Sequence, residues 1–285
     1  MRDGRFDAEA GTMSGTVRGF YDANVETEWG RLDLPLCRVE MAGTLRLVDR
    51  WFPPGGDVVD AGSGPGRYAL ELARRGFRVT LVDLSPGLVQ RARQAFADAD
   101  LEAVDFIASD AQDLSAVADA SCDAALMLGP LYHLTGAGAR MRALGELRRV
   151  LKPGGVAIAA YLNAWGLLRT GIGDFPRWYQ DDEVLRGMLQ PQSLSQERLR
   201  RFTEAHWSTP PAAMEELRAA GFAIETYAGA EGFLGGMRPM VEALAESDPA
   251  AYANVLAFAA ETGELPQYRD ATDHLHFVVR KVDEG

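Results

Sequence analysis

The chain has 285 residues, 47% hydrophobic and 25% charged, enough for one large core with decorations or for two small domains. Its net charge of −12 argues against a nucleic-acid partner, since the overall field opposes the approach of phosphates. Two cysteines, Cys37 and Cys122, match no metal or disulfide pattern and suit a reducing cytoplasm. No apolar core follows the first charges, so no secretory signal is expected. The longest apolar run, Val156 to Leu162, is too short to cross a membrane.

Residues 1–16 are polar, contain glycine and show no period, which predicts a disordered leader. From Val17 the pattern is helical, with Phe20, Tyr21, Val25 and Trp29 on one side and Asp22, Glu26, Glu28 and Arg31 polar. Arg38 to Phe52 is a second amphipathic helix with Met41, Leu45, Val48 and Phe52 as its stripe, stopped by Pro53-Pro54 and Gly55-Gly56. Residues 17–54 therefore form an N-terminal helical cap, and 55–285 the core.

In Val58-Val59-Asp60-Ala61-Gly62-Ser63-Gly64-Pro65-Gly66, a buried strand ends in an acid and a tight glycine turn. A helix follows, stopped by Gly76, and a second strand, Phe77 to Val82, ends in Asp83. Strand, glycine loop, helix, strand and terminal acid is a nucleotide-binding βαβ unit, with Asp83 placed for ribose hydroxyls. A pyrophosphate binder wants bare amides, whereas Asp60 would repel a phosphate and suit an ammonium or sulfonium.

At these residues the chain resembles the class I S-adenosylmethionine-dependent methyltransferases, whose first motif is an acid followed by Gly-x-Gly-x-Gly. The resemblance implies S-adenosylmethionine as cofactor, held by Asp60, Gly62, Ser63, Gly64, Gly66, Asp83 and Leu84. Tyr21-Asp22 and Glu28-Trp29-x-Arg31-Leu32 are similar to the cap of the small-molecule members, which adds Tyr21 to the cofactor set. Simple helix packing is the other reading of Tyr21. An ordinary dinucleotide-binding unit stays open as the alternative to the whole assignment.

Further along, Ser85-Pro86 starts a helix as N-cap and first residue. Val104 to Ile107 is the third strand, followed by Asp110-Ala111, which the resemblance places at the adenine; capping of the next turn is the other reading of Asp110. Cys122 to Leu128 is a central strand ending in Gly129-Pro130-Leu131-Tyr132-His133, beside the first strand's tip. The resemblance puts Leu128 and Gly129 against the cofactor. The chain lacks the Asn-Pro-Pro-aromatic and Pro-Cys sequences of nucleic-acid enzymes at this point, which favours a small-molecule acceptor.

Lys152-Pro153-Gly154-Gly155 turns into the fifth strand, Val156 to Tyr161. Residues 163–207 carry Trp165, Phe175, Trp178, Tyr179 and Trp207 among charges, and are expected as a helical lid or a peripheral packing unit. A helix after Pro210-Pro211, a sixth strand from Phe222 to Tyr227, a helical insertion at 237–262 and a last strand from His274 to Val282 complete the chain. The expected fold is α/β and Rossmann-like, a seven-stranded, mostly parallel sheet with an antiparallel last strand, helices on both faces, a cap and lid insertions.

The resemblance implies transfer of a methyl group by in-line displacement, which needs positioning and exclusion of water more than catalytic side chains. A base is needed only where an oxygen or nitrogen acceptor must lose a proton. Of four histidines, His133 is the best placed as base, with Tyr132 as wall or hydrogen-bond donor. His206 could reach the site from the lid side. His274 and His276 share a strand face and are expected to pack or face solvent, since no carboxylate cluster accompanies them in sequence. No metal is expected. An NAD-dependent oxidoreductase and a non-catalytic cofactor-binding protein remain as alternatives.

Overall fold

The computed structural model describes residues 6–174, 176–194 and 203–282. Seven strands form the expected sheet in the order β3-β2-β1-β4-β5-β9-β8. These are β1 (Gly56–Ala61), β2 (Phe77–Asp83), β3 (Asp105–Ala108), β4 (Cys122–Met127), β5 (Leu151–Asn163), β8 (Phe222–Gly229) and β9 (His274–Lys281). All neighbours are parallel except β9, which runs antiparallel between β5 and β8.

Alternation along each strand divides the core in two. Val59, Ala61, Ala125, Met127, Ala157, Ala159 and Phe277 face one layer with Leu144, Leu147 and Leu217. Val58, Ala124, Leu126, Ile158, Ala160 and Val278 face the other with Leu47, Leu72 and Phe96. Each fully buried Leu or Phe there contributes about 1.5–3 kcal/mol. Among the helices, α4 (Arg67–Arg74) and α5 (Pro86–Asp98) cover the second layer, α7 (Ala137–Val150) and α10 (Pro210–Ala219) the first. The Ser85 hydroxyl caps α5 by accepting from the Leu88 amide at 3.1 Å.

The N-terminal segment is more ordered than its composition predicts. Helix α1 spans Phe6–Ala23, so residues 6–16 of the expected disordered leader are helical, and residues 1–5 lie outside those described. Phe6, Ala10, Met13 and Val17 continue the three-and-four spacing of the cap backwards, which the glycines at 11 and 15 obscure. Helix α2 (Val25–Arg31) and α3 (Pro35–Trp51) complete the cap.

The segment 163–207 is only partly helical. It holds α8 (Ala164–Asp174), a 3₁₀ turn (Pro176–Gln180), α9 (Asp182–Gly187) and a hairpin of β6 (Gln192–Leu194) and β7 (Ala205–Ser208), two strands beyond the seven expected. Strand β7 pairs with Leu162 and Asn163 of β5, beyond the last β4 partner at Ala159. Trp207 packs with Leu167, Met188 and Leu194 in a small core of this segment; Phe175 lies outside the described residues. The insertion at 237–262 is two helices, α11 (Arg238–Ser247) and α12 (Pro249–Thr262), which pack Val241, Tyr252 and Ala259 on Leu36 and Val39 of α3. Among the described residues no helix is long and apolar enough to cross a membrane.

Candidate active site

At the tip of β1 the backbone reverses so tightly that the amides of Gly62 and Ser63 both donate to the Val82 carbonyl, at 2.8 and 3.1 Å. Gly62 has φ +85°, and a Cβ there would lie 2.4 Å from Pro130 Cδ. Only glycine lets β1 turn against the start of α6 (Pro130–His133). The Gly64 amide donates to Asp83 Oδ2 and the Ser85 amide to Oδ1, each at 2.8 Å, which fixes the acid at the end of β2.

Gly66 departs from its expected role. It does not line the cleft; its φ is +85° and a Cβ would meet Ala92 Cβ at 2.9 Å, so it allows α4 to start close against α5. The other residues nominated from sequence converge on one cleft of about 1070 Å³, counting its open mouth: Tyr21, Asp60, Gly62, Ser63, Gly64, Asp83, Leu84, Asp110, Ala111, Leu128, Gly129, Tyr132 and His133. Asp110 also accepts from the Gln112 amide at 2.9 Å, so it caps a turn as well as lining the cleft.

The cleft is acidic. Burial, and then the Asp83 carboxylate, push the Asp60 carboxyl up to about 7. Asp60 is 2% exposed, and its Oδ2 has no hydrogen-bond partner among the described residues. Burial raises Asp83 to about 6, against the two amide bonds that lower it. A buried acid without a donor suits a ligand that brings one, preferably a cation.

The cap walls one side of this cleft. The Tyr21 hydroxyl lies 2.7 Å from His133 Nε2, while His133 Nδ1 lies 3.2 Å from the Glu204 carbonyl. A carbonyl only accepts, so Nδ1 carries the proton and Nε2 accepts from Tyr21. Burial lowers His133 to about 4 and keeps it neutral. The Tyr132 hydroxyl donates to the Leu128 carbonyl at 2.9 Å and its pKa is raised by burial.

Glu28 and Arg31, which read as polar in sequence, also line the cleft, together with Glu40 of α3, which the sequence did not single out. Arg31 contacts Glu28 at 3.1 Å and Glu40 at 3.4 Å. Burial opposes the Arg31 charge, but the carboxylates outweigh it. A usable signal was the Glu28–Arg31 spacing beside Trp29, a pair that would be idle on a solvated face. Trp29 itself is held between Arg91 and Arg67, whose guanidinium carbons lie 3.6 and 4.9 Å from its ring centroid. The Asp22 carboxylate accepts from the Ser85 hydroxyl and ties α1 to α5.

The remaining histidines stand outside this lining. His206 is buried in β7, lowered to about 4 by burial, and its Nδ1 lies 2.9 Å from the Ser193 hydroxyl. His274 and His276 do share a face of β9, but carboxylates do accompany them. His274 Nδ1 meets Glu231 Oε1 at 2.6 Å, and Glu40 approaches from α3. Burial would lower His274, but Glu231 and Glu40 push it up to about 9. Trp165, Trp178, Tyr179 and Trp207 of the expected lid are absent from the described lining, because they pack within their own segment.

Comparison with known proteins points to the same fold. The methyltransferase domain family matches residues 58–155, from the first strand to the turn in β5. Over those residues the chain is similar to methyltransferase domains. It is similar to the ubiquinone biosynthesis O-methyltransferase of Xanthomonas campestris pv. campestris (strain B100), 36% identical over 144 residues, covering 50% of this chain and 59% of the relative. It is similar also to the tRNA 5-carboxymethoxyuridine methyltransferase of Escherichia coli K12, 30% identical over 171 residues, 59% of this chain and 60% of the relative. The chain thus spans about 60% of the length of these relatives.

In fold, the chain resembles the 1,6-didemethyltoxoflavin-N1-methyltransferase of Burkholderia thailandensis, solved with S-adenosylhomocysteine. The TM-score is 0.59 at 17% identity, over 96% of this chain and 91% of that one. S-adenosylmethionine fits the cleft. Asp83 would hold its ribose hydroxyls and Asp110 the adenine amine. The unpartnered Asp60 oxygen would take the ammonium and Arg31 the carboxylate.

Proposed function

We propose that this protein transfers a methyl group from S-adenosylmethionine to an oxygen or nitrogen of a small molecule by in-line displacement. The observation that carries the reading is Asp60, a buried acid with an unpartnered oxygen at the glycine turn. It complements an ammonium and opposes the pyrophosphate that nicotinamide chemistry requires. A net charge of −12 and a cleft walled by the cap favour a small acceptor over RNA, the substrate class in the name of the E. coli relative.

When bound, S-adenosylmethionine supplies a methyl carbon already activated by its sulfonium. The chain's share is to orient the acceptor, exclude water and receive a proton. The Tyr21 hydroxyl donates to neutral His133, so the Tyr21 oxygen can take the acceptor's proton as its own passes to His133 Nε2. Buried, free Cys37 and Cys122 accord with a reducing, cytoplasmic setting.

Calorimetric titration with S-adenosylhomocysteine tests the cofactor: binding is expected, and binding of NAD in its place overturns the reading. Incubation with methyl-labelled cofactor and fractionated cell extract tests the acceptor. Label in small metabolites is the expected result. Label in tRNA overturns the acceptor class, and cofactor binding with no labelled product favours a non-catalytic binding protein.

A further inference from the structure

Because β9 runs antiparallel beside β5, its first residue, His274, pairs with Leu162 at the carboxyl end of β5, the edge that carries the cleft. The turn after β8 brings Glu231 to the same edge, and α3 lays Glu40 against both. One imidazole nitrogen and two carboxylate oxygens there lie within 4.8 Å of one another. Glu231 is 2% exposed and Glu40 6%. Glu231 Oε2 accepts from the amides of Asp273 and His274, at 3.1 and 3.3 Å, which aims Oε1 at the imidazole. Backbone bonds to a carboxylate are how proteins orient metal ligands from the outer shell.

Two further groups beside the cluster lack partners among the described residues. His276 is 1% exposed, lies one strand repeat from His274 on the same face, and bonds Thr44 through Nδ1 at 3.0 Å; its Nε2 is unpartnered. Asp273 Oδ1 is likewise buried and unpartnered. Arg31, the nearby guanidinium, is shared between Glu40 and Glu28.

We propose that Glu40, Glu231 and His274 bind a divalent first-row transition-metal ion. Two carboxylates neutralise its charge, and an imidazole with carboxylates suits zinc or manganese better than an all-oxygen set would. Glu40 also lines the cleft, and the Tyr132 ring lies 6.2 Å from the His274 ring. The ion thus borders the acceptor's side, where an acceptor oxygen would complete its coordination. That role rests on the methyl-transfer reading; the metal site itself does not.

Tag-free protein, stripped with chelator, is titrated with zinc chloride and with manganese chloride at pH 7.5 in two buffers of different ionisation enthalpy. One zinc or manganese per chain is expected, with the same stoichiometry in both buffers. No binding overturns the site. His274→Asn and Glu231→Gln should each weaken binding at least about tenfold; unchanged affinity in both places the ion elsewhere and overturns it too. Cobalt chloride added to the unaltered chain needs no variant, and a visible absorption band saturating at one equivalent is expected, its absence being a refutation. Retained S-adenosylhomocysteine affinity in His274→Asn shows an intact fold, so loss of the ion and loss of the methyltransferase reading are told apart.

Discussion

The Tyr21 hydroxyl donates to His133 Nε2 at 2.7 Å, joining the cap to the tip of β4 across 112 residues of sequence. The rings also meet edge to face, with centroids 5.4 Å apart. Tyr21→Phe leaves His133 Nε2 without this donor in a buried site, at a cost of about 1–3 kcal/mol. Turnover should fall in Tyr21→Phe and in His133→Ala, with cofactor affinity nearly retained in the latter. In a double-mutant cycle on kcat, the two losses should be less than additive. Strict additivity would mean that the two side chains act separately.

With Asp60 taking the cofactor's ammonium, as proposed, cofactor affinity should depend on pH in a definite direction. Its carboxyl sits at about 7 in the free protein, and an ammonium binds the ionised form. Below pH 7 binding must therefore expel a proton, and affinity should fall by up to about tenfold per pH unit. Above pH 7 the contribution of Asp60 is constant, and Asp83 adds to the fall only below about 6. Calorimetry with S-adenosylhomocysteine between pH 5.5 and 8 measures this. Asp60→Asn should weaken binding at pH 8 and flatten the profile, and a flat profile in the unaltered chain would detach Asp60 from the ligand.

Gly62→Ala tests the turn. The added methyl would sit 2.4 Å from Pro130 Cδ at φ +85°, so either the glycine loop or α6 must shift. Unfolding in urea should show a loss of about 1–3 kcal/mol, and cofactor binding should fall with it. An unaltered midpoint would show that the turn yields without strain.

Trp29→Ala removes two guanidinium–ring contacts, each worth about 0.5–2 kcal/mol. Because those contacts tie α2 to α4 and α5, the expected result is faster amide exchange over residues 17–31, weaker cofactor binding and little change in the sheet. Unchanged exchange over the cap would assign its closure to Asp22 and Ser85 instead.

Asp83→Ala should weaken cofactor binding by about 1–3 kcal/mol through unpaired ribose hydroxyls. The same change frees the Gly64 and Ser85 amides, so the loop should lose exchange protection as well. Full affinity would remove Asp83 from the site.

The sequence by itself determined the βαβ frame, the glycine turn and the acids at the strand tips. Those features are local: period-two burial, positive φ and a carboxylate at a strand end are written within a few residues of one another. It did not reveal the hairpin of β6 and β7, whose short strands exist only because β5 runs on past β4. Nor did it place Arg31, Glu40 or Glu231, which α3 and the turn after β8 bring inside. Tertiary structure alone decided that His133 meets Tyr21 and that His274 meets Glu231. Such pairs are set by how helices seat on the two faces of the sheet, and no spacing along one element encodes them.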